Sequence, residues 1–227
     1  MDRRTAIYCF LAGAIVFTSA TRAATVDRIE VVVDRQIITE LDLEEDIRVT
    51  DFLNGTVFDA TTQSDALPNQ RRAAAERLID QSLIKQEIAL SHYPWVSEPE
   101  IDEAVEQLHQ ARGAAAFEAG LETNQISLAL LRRHLALQLT TMRFVAFRFR
   151  PELGISDDDL DNYYRRLISK WAAGHPNEPV PTFESSRRNI RRGLVEERTN
   201  AALDEWLRDA RQRAQIDYAD HTLQAVK

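Results

Sequence analysis

The chain has 227 residues, enough to bury a core as one elongated domain or two small ones, and a formal net charge of -8 that repels nucleic acid and anionic lipid at long range. Seven glycines are few for a turn-rich sheet, so the composition points to helices. A single cysteine, Cys9, excludes an intrachain disulfide.

Residues 2–4 are weakly basic, an apolar run follows from Ala6 to Phe17, and small and polar residues lead to Ala24. This is the layout of a cleavable secretory signal over residues 1–23, with Thr21-Arg22-Ala23 before the cut. The run is shorter than the roughly 20 apolar residues of a membrane span. No later run could serve as one, so no stable span is expected after the signal is removed. Export makes the location periplasmic, and the remaining chain is more acidic still because Arg3, Arg4 and Arg22 leave with it.

The next stretch carries the only dense β-branched run. Ile29, Val31 and Val33 alternate with Glu30 and Val32, the period of a half-buried strand. Asp34-Arg35-Gln36 reads as a turn and Ile37-Ile38 as a short return. Thr39 caps a helix by accepting from the free amide near Asp42, and Leu41, Leu43 and Ile47 start its apolar side. Two strands alone are marginal in water. The segment Gln215–Tyr218, after a long helix, is the candidate third strand.

Phe52 to Leu67 reads as a loop, with Asn54-Gly55 and several threonines. A helix runs from Pro68 to Ala89, with Leu78, Ile79, Leu83, Ile84 and Ile88 on one stripe, and Tyr93-Pro94-Trp95 ends it. Ser97-Glu98-Pro99-Glu100 is a capping box for a helix carrying Ile101, Val105 and Leu108, which Gly113 breaks. Ala114 to Ala119 is a short helical piece before Gly120.

Asn124 to Arg150 is the most apolar helix. One stripe holds Leu128, Leu131, Leu135, Met142, Val145 and Phe149; a second holds Leu130, Leu137 and Phe144, with Phe147 beside it. A helix apolar on two sides is central to a bundle or offers one side to a partner. Pro151 ends it, and Ser156 with Asp157, Asp158 and Asp159 starts another helix that reaches Trp171. The three acids suit the positive end of a helix and lack calcium-loop spacing, so no metal site is read there. Residues 174–182 form a proline-rich linker, and Phe183 to Ala214 is a long helix with Ile190, Leu194, Ala202, Trp206, Ala210 and Ala214 on one side. Its early half holds Arg187, Arg188, Arg191 and Arg192, followed by Glu196, Glu197, Asp204, Glu205 and Asp209, which reads as a solvated face of mixed charge.

No motif for hydrolysis, phosphate binding or thiol chemistry occurs, and His92, His109, His134, His175 and His221 do not cluster at ligand spacing. His134, beside apolar residues, reads as a bonded core histidine. No catalytic residue, cofactor or metal is assigned.

Several segments, in order, resemble the SurA-like periplasmic chaperones and the related parvulin-type foldases. Val32 to Leu43 looks like the opening of that family, Ala75 to Gln86 like its second helix, Val96 to Asp102 like the start of its third, and Phe183 to Tyr218 like its closing helix and strand. The resemblance implies a mostly α fold: a helical bundle with a small β-sheet made by the N-terminal hairpin and a C-terminal strand. Residues 24–173 would be the chaperone-like helical module, 183–220 would complete the same domain, and 221–227 would be a tail. The isomerase domain of the foldases would be inserted where this chain has only residues 174–182, so isomerase activity does not carry over. The implied activity is ATP-independent holding of unfolded exported or outer-membrane polypeptides on apolar surface, with Met142, Phe144, Phe147 and Phe149 as the expected contacts. A non-catalytic envelope adaptor with one fixed partner is the alternative reading, and a homo-oligomer stays open.

Overall fold

Val31 and Val33 are fully buried on the central strand of a three-stranded antiparallel sheet. The computed structural model describes residues 27–58, 66–150, 154–174 and 180–224. The expected signal, much of the linker and the last tail residues lie outside them. Strand β1 (Ile29–Val33) pairs with β2 (Gln36–Thr39) on one side and β3 (Ile216–Tyr218) on the other. The hairpin and the C-terminal strand therefore close one sheet, as the sequence predicts. The turn clamps the closure: Asp34 N–H donates to the Gln215 carbonyl at 2.8 Å, and Gln215 N–H donates to Asp34 Oδ1 at 2.9 Å.

The strand departs from strict alternation at one point. The β1–β2 register shifts between Ile29 and Val31, so Glu30 turns inward and Ile29 outward. A bulge puts one extra residue into a strand and re-aims the side chains around it. The buried Glu30 carboxylate accepts from Arg28 Nε at 2.9 Å and Arg71 Nη2 at 3.2 Å. Its backbone carbonyl accepts from Ala219 and Asp220 N–H groups.

Seven helices follow the sheet in the described residues: α1 (Glu40–Asn54), α2 (Ala66–Leu90), α3 (Glu98–Arg112), α4 (Ala114–Thr123), α5 (Leu128–Phe149), α6 (Asp157–Gly174) and α7 (Phe183–Arg213). The caps behave as their residues dictate. Thr39 Oγ1 accepts from Asp42 N–H while Asp42 Oδ2 accepts from Thr39 N–H, a reciprocal box. Ser97 with Glu100 and Ser156 with Asp159 repeat that arrangement.

Helix α1 runs further than its sequence suggests. Phe52 belongs to it rather than to a loop, and is fully buried against Phe117 with ring centroids 5.7 Å apart. Gly120 does not stop α4, which continues through it to Thr123. The glycine is needed for a close approach instead: a Cβ there would lie 3.0 Å from Phe52 Cε2.

The core comes in linked pieces. The sheet packs Val31, Val33 and Ile38 onto Leu43, Ile47, Ile79 and Leu83, and Trp206 of α7 borders this group. A second group joins Val49 and Phe52 to Phe117, Ile126, Leu131 and Leu135. Trp206 also borders a third group formed by Ile84, Ile88 and Phe144. The first half of α7 differs from expectation. Ile190 and Leu194 pack on Leu160 of α6 rather than on the helices before Arg150. Gly193 permits that hairpin, since a Cβ there would meet the Tyr163 hydroxyl at 2.6 Å. The second half of α7 reaches the bundle through Trp206 and through Arg211, whose guanidinium donates to Asp80 Oδ1 at 2.6 Å and Glu76 Oε2 at 2.5 Å.

Two stability predictions follow from this packing. Deleting residues 214–227 removes β3 and the buried Leu223, so the whole domain should lose stability; an unchanged melting temperature would show that the two chain ends are independent. Gly120→Ala should destabilise by about 1 kcal/mol, because overpacking costs about 1–3 kcal/mol and outweighs the roughly 1 kcal/mol gained in helix propensity. Phe52 is held by Phe117 and by the Arg112 guanidinium 4.3 Å from its ring centroid, so it cannot yield. In Phe52→Leu the Gly120→Ala cost should vanish, which denaturant melts of the four variants would resolve.

Candidate functional site

Three helices turn stripes of the same period toward one open groove of about 630 Å³. Helix α1 contributes Asp42, Glu45, Asp46 and Val49, at spacings of three, four and seven. Helix α5 contributes Leu130, Arg133, His134 and Leu137 at the same spacings, and α2 adds Leu78, Gln81 and Lys85. These spacings place each set on a single helix face. Ala136, Leu41 and Trp95 complete the lining, and the last two are large apolar side chains left 50% and 54% exposed.

Two of the groove's acids are engaged by arginines, one on the groove wall and one outside it. Asp46 accepts from Arg77 Nε at 3.0 Å and Nη2 at 2.5 Å, and Arg133 Nη2 donates to Glu45 Oε2 at 2.6 Å. Burial pushes the Lys85 ammonium below the usual lysine range, with Asp42 opposing the shift. Burial likewise lowers the pKa of His134, with Asp46 opposing. His134 is half-buried on the groove wall and has no hydrogen-bond partner among the described residues, so it is not the bonded core histidine its neighbours suggested. The groove thus offers apolar walls carrying charges that are engaged by partners or, at Lys85 and His134, disfavoured by burial. It suits an extended apolar segment of mixed sequence more than a specific anion or cation. Among the described residues no group of three or more His, Cys, Asp or Glu could hold a metal ion.

The four aromatic and methionine positions singled out in the sequence separate in space. Met142 and Phe147 are 62% and 61% exposed. Phe144 is 1% exposed and packs edge-on to Tyr93, and Phe149 is 8% exposed beside Trp206. Phe144 and Phe149 are therefore core residues in this conformation: Ile84 and Ile88 cover the first and Trp206 the second. None of the four lines the groove, which uses the N-terminal half of α5. Trp95 and Leu41 were not singled out. Their signal is weak, one residue in a helix-ending Tyr-Pro-Trp and one beside an N-cap, and only the tertiary fold brings them to one opening.

A tether holds α3 and the Trp95 segment against α5. Val96 N–H donates to the buried Thr140 hydroxyl at 3.2 Å, Arg132 pairs with Glu98 and Asp102, and Arg143 pairs with Glu100. The Arg143 bond, with the Ser97 bonds, holds the Glu100 carboxyl down at about 2.

No protein-family model and no curated protein matches this sequence. Among solved structures, a Campylobacter jejuni chain is similar over 85% of this chain and 100% of its own, with a TM-score of 0.52 and 13% identity. It comes from work on the virulence factor PEB4 and the periplasmic protein Cj1289, described as two structurally related SurA-like chaperones. The fold is SurA-like. At this identity the likeness establishes architecture alone: the closing sheet, the bundle and the long last helix share the SurA-like arrangement. Residues 175–182 are all that stand between α6 and α7, too few for an inserted domain. No helix among the described residues is long and apolar enough to cross a membrane.

The groove histidine sets a pH dependence of the SurA-like module. Its folded pKa lies below the ordinary 6.5, so the unfolded chain takes up the proton first and stability falls as pH drops below about 6.5. His134→Gln should therefore show a smaller loss of melting temperature between pH 7.5 and 5.5 than the parent chain. Glu100 and Asp159, both held at about 2, act in a separate window: their contribution is present above the usual carboxylate range and is lost as pH falls toward 2. An identical pH profile in both proteins would remove His134 from this role.

Proposed function

We propose that this chain is an ATP-independent holdase of the periplasm, exported by a cleaved signal and binding unfolded exported polypeptides, with client segments lying in the groove between α1, α2 and α5. The observation that carries the proposal is the exposure of Leu41 and Trp95 at an open groove whose charges are mostly satisfied. Fully burying a side chain of this size contributes about 1.5–3 kcal/mol, so a few such contacts bind many sequences weakly. Release then needs no nucleotide. Surrounding charge keeps the empty groove soluble, as the chain's net charge of -8 provides. Met142 and Phe147 are two further exposed apolar side chains on the far half of α5, open to longer clients. The short α6–α7 connection supports a role without prolyl isomerase chemistry.

The test is aggregation suppression measured on several unrelated denatured proteins. The parent chain should protect all of them, and Leu41→Ser with Trp95→Ser should weaken protection about tenfold, both positions being exposed enough for the variants to fold. Protection of a single protein only would favour the adaptor reading, with one fixed partner. Loss in Met142→Ser/Phe147→Ser with the groove variant unaffected would move the client site to the second surface.

A further inference from the structure

Helix α7 sorts its charges unevenly. Arg187 pairs with Asp157, Arg198 with Asp159, and Glu197 is taken by Arg166. Glu184 lies 3.7 Å from Arg187. The acids near the early half of α7 are therefore largely spent on other arginines, Glu196 and, on α6, Asp158 being left without a pair among the described residues. Arg188, Arg191, Arg192 and Val195 fall at spacings of three, four and seven, on one helix face. Arg150, at the C-terminal end of α5, meets that face, and the five residues line a depression of about 330 Å³. Arg150, Arg188 and Arg191 have no ion-pair or hydrogen-bond partner among the described residues, and Arg192 reaches only Asn189 Oδ1 at 3.3 Å.

Four guanidinium groups around one depression repel one another. In a chain with 36 acidic residues against 28 basic ones, nearby carboxylates could have neutralised them, as they do for Arg77, Arg132 and Arg211. The planar fork of arginine matches phosphate oxygens two at a time. We propose that Arg150, Arg188, Arg191 and Arg192 form a site for a phosphate group, carried either by a lipid headgroup or by a small soluble phosphate. The site is separate from the groove and does not rest on the client-binding reading. The acidic remainder of the chain confines the attraction to this patch, because screening limits its reach to about 10 Å at moderate salt.

The test uses the full chain, with sodium pyrophosphate as one probe and phosphatidylcholine vesicles with or without phosphatidylglycerol as the other, at constant ionic strength. The patch variant is Arg188→Gln/Arg191→Gln. The charge-matched control is Arg208→Gln/Arg213→Gln, on the same helix and away from the depression. Calorimetric titration should show pyrophosphate binding that weakens about tenfold or more in the patch variant and is retained in the control. Equal dependence of cosedimentation with phosphatidylglycerol vesicles would identify the headgroup as the source, and pyrophosphate binding without vesicle binding would identify a soluble phosphate. Either supports the site. Binding of neither probe, or equal loss in the patch and control variants, would overturn it. Arg188→Lys/Arg191→Lys keeps the charge but loses the fork. It should fall between parent and patch variant, whereas generic attraction would leave it at the parent value.

Discussion

The fold depends on one strand that must be paired on both sides by distant parts of the chain. β1 holds β2 through a local turn, but it holds β3 across almost the whole described sequence. Glu30 fixes the joint. Its carbonyl accepts from the backbone just beyond β3, and its buried carboxylate draws in Arg28 and Arg71. Arg71 also lies 3.4 Å from Glu40, so β1, α1 and α2 meet at one guanidinium. A buried carboxylate is costly unless paired, and breaking such a pair by removing one partner is more damaging than never having built it. The bulge at Glu30 is therefore the price of bringing the two chain ends to one place, and it locks their register.

Closure dictates where α7 can go. Because β3 must return to β1, the end of α7 is pinned to α2 by Arg211, Asp80 and Glu76. Its start is then carried away from the sheet and needs its own cover. α6 provides it, through Leu160 against Ile190 and Leu194. The molecule is thus a bundle with a helical hairpin projecting from it, and α7 is the shared beam. The arginine-lined depression sits where the end of α5 passes this beam.

Much of this was legible in the sequence because the signals were local and strong. The β-branched run, the three Ser or Thr caps and the order of the helices each follow from a few adjacent residues. What was not legible depended on partners far along the chain. Glu30 is a surface residue by alternation and becomes buried only because Arg71, 41 positions later, is there to meet it. Phe52 reads as loop among polar neighbours, yet Phe117 and Gly120 give its ring a fitted seat. Gly120 looks like a helix stop and serves as that seat. Phe144 and Phe149 could not be told from Met142 and Phe147 by periodicity, since α5 is apolar on two sides and only Ile84, Ile88 and Trp206 decide which side is covered. The groove was the least legible feature, because it is made of what three helices leave uncovered.

That origin bears on function. Val49 caps the second core group from α1, and Leu131 and Leu135 face it from α5, so the bundle's stability is settled on one side of each helix. Asp42, Glu45, Leu130 and Leu137 sit beside that side rather than opposite it, and this offset keeps a second face open. Filling the groove from within would require a bulky residue from α2, where the chain instead places Gln81 and Lys85. The Lys85 stem covers apolar wall while its amine, weakened as a cation by burial, stays near Asp42. An open groove with an amphipathic lysine on its wall keeps polar groups beside its apolar lining. On the proposed function, an arriving apolar segment would displace water from this groove, and the core groups on the other side of each helix would not need to rearrange.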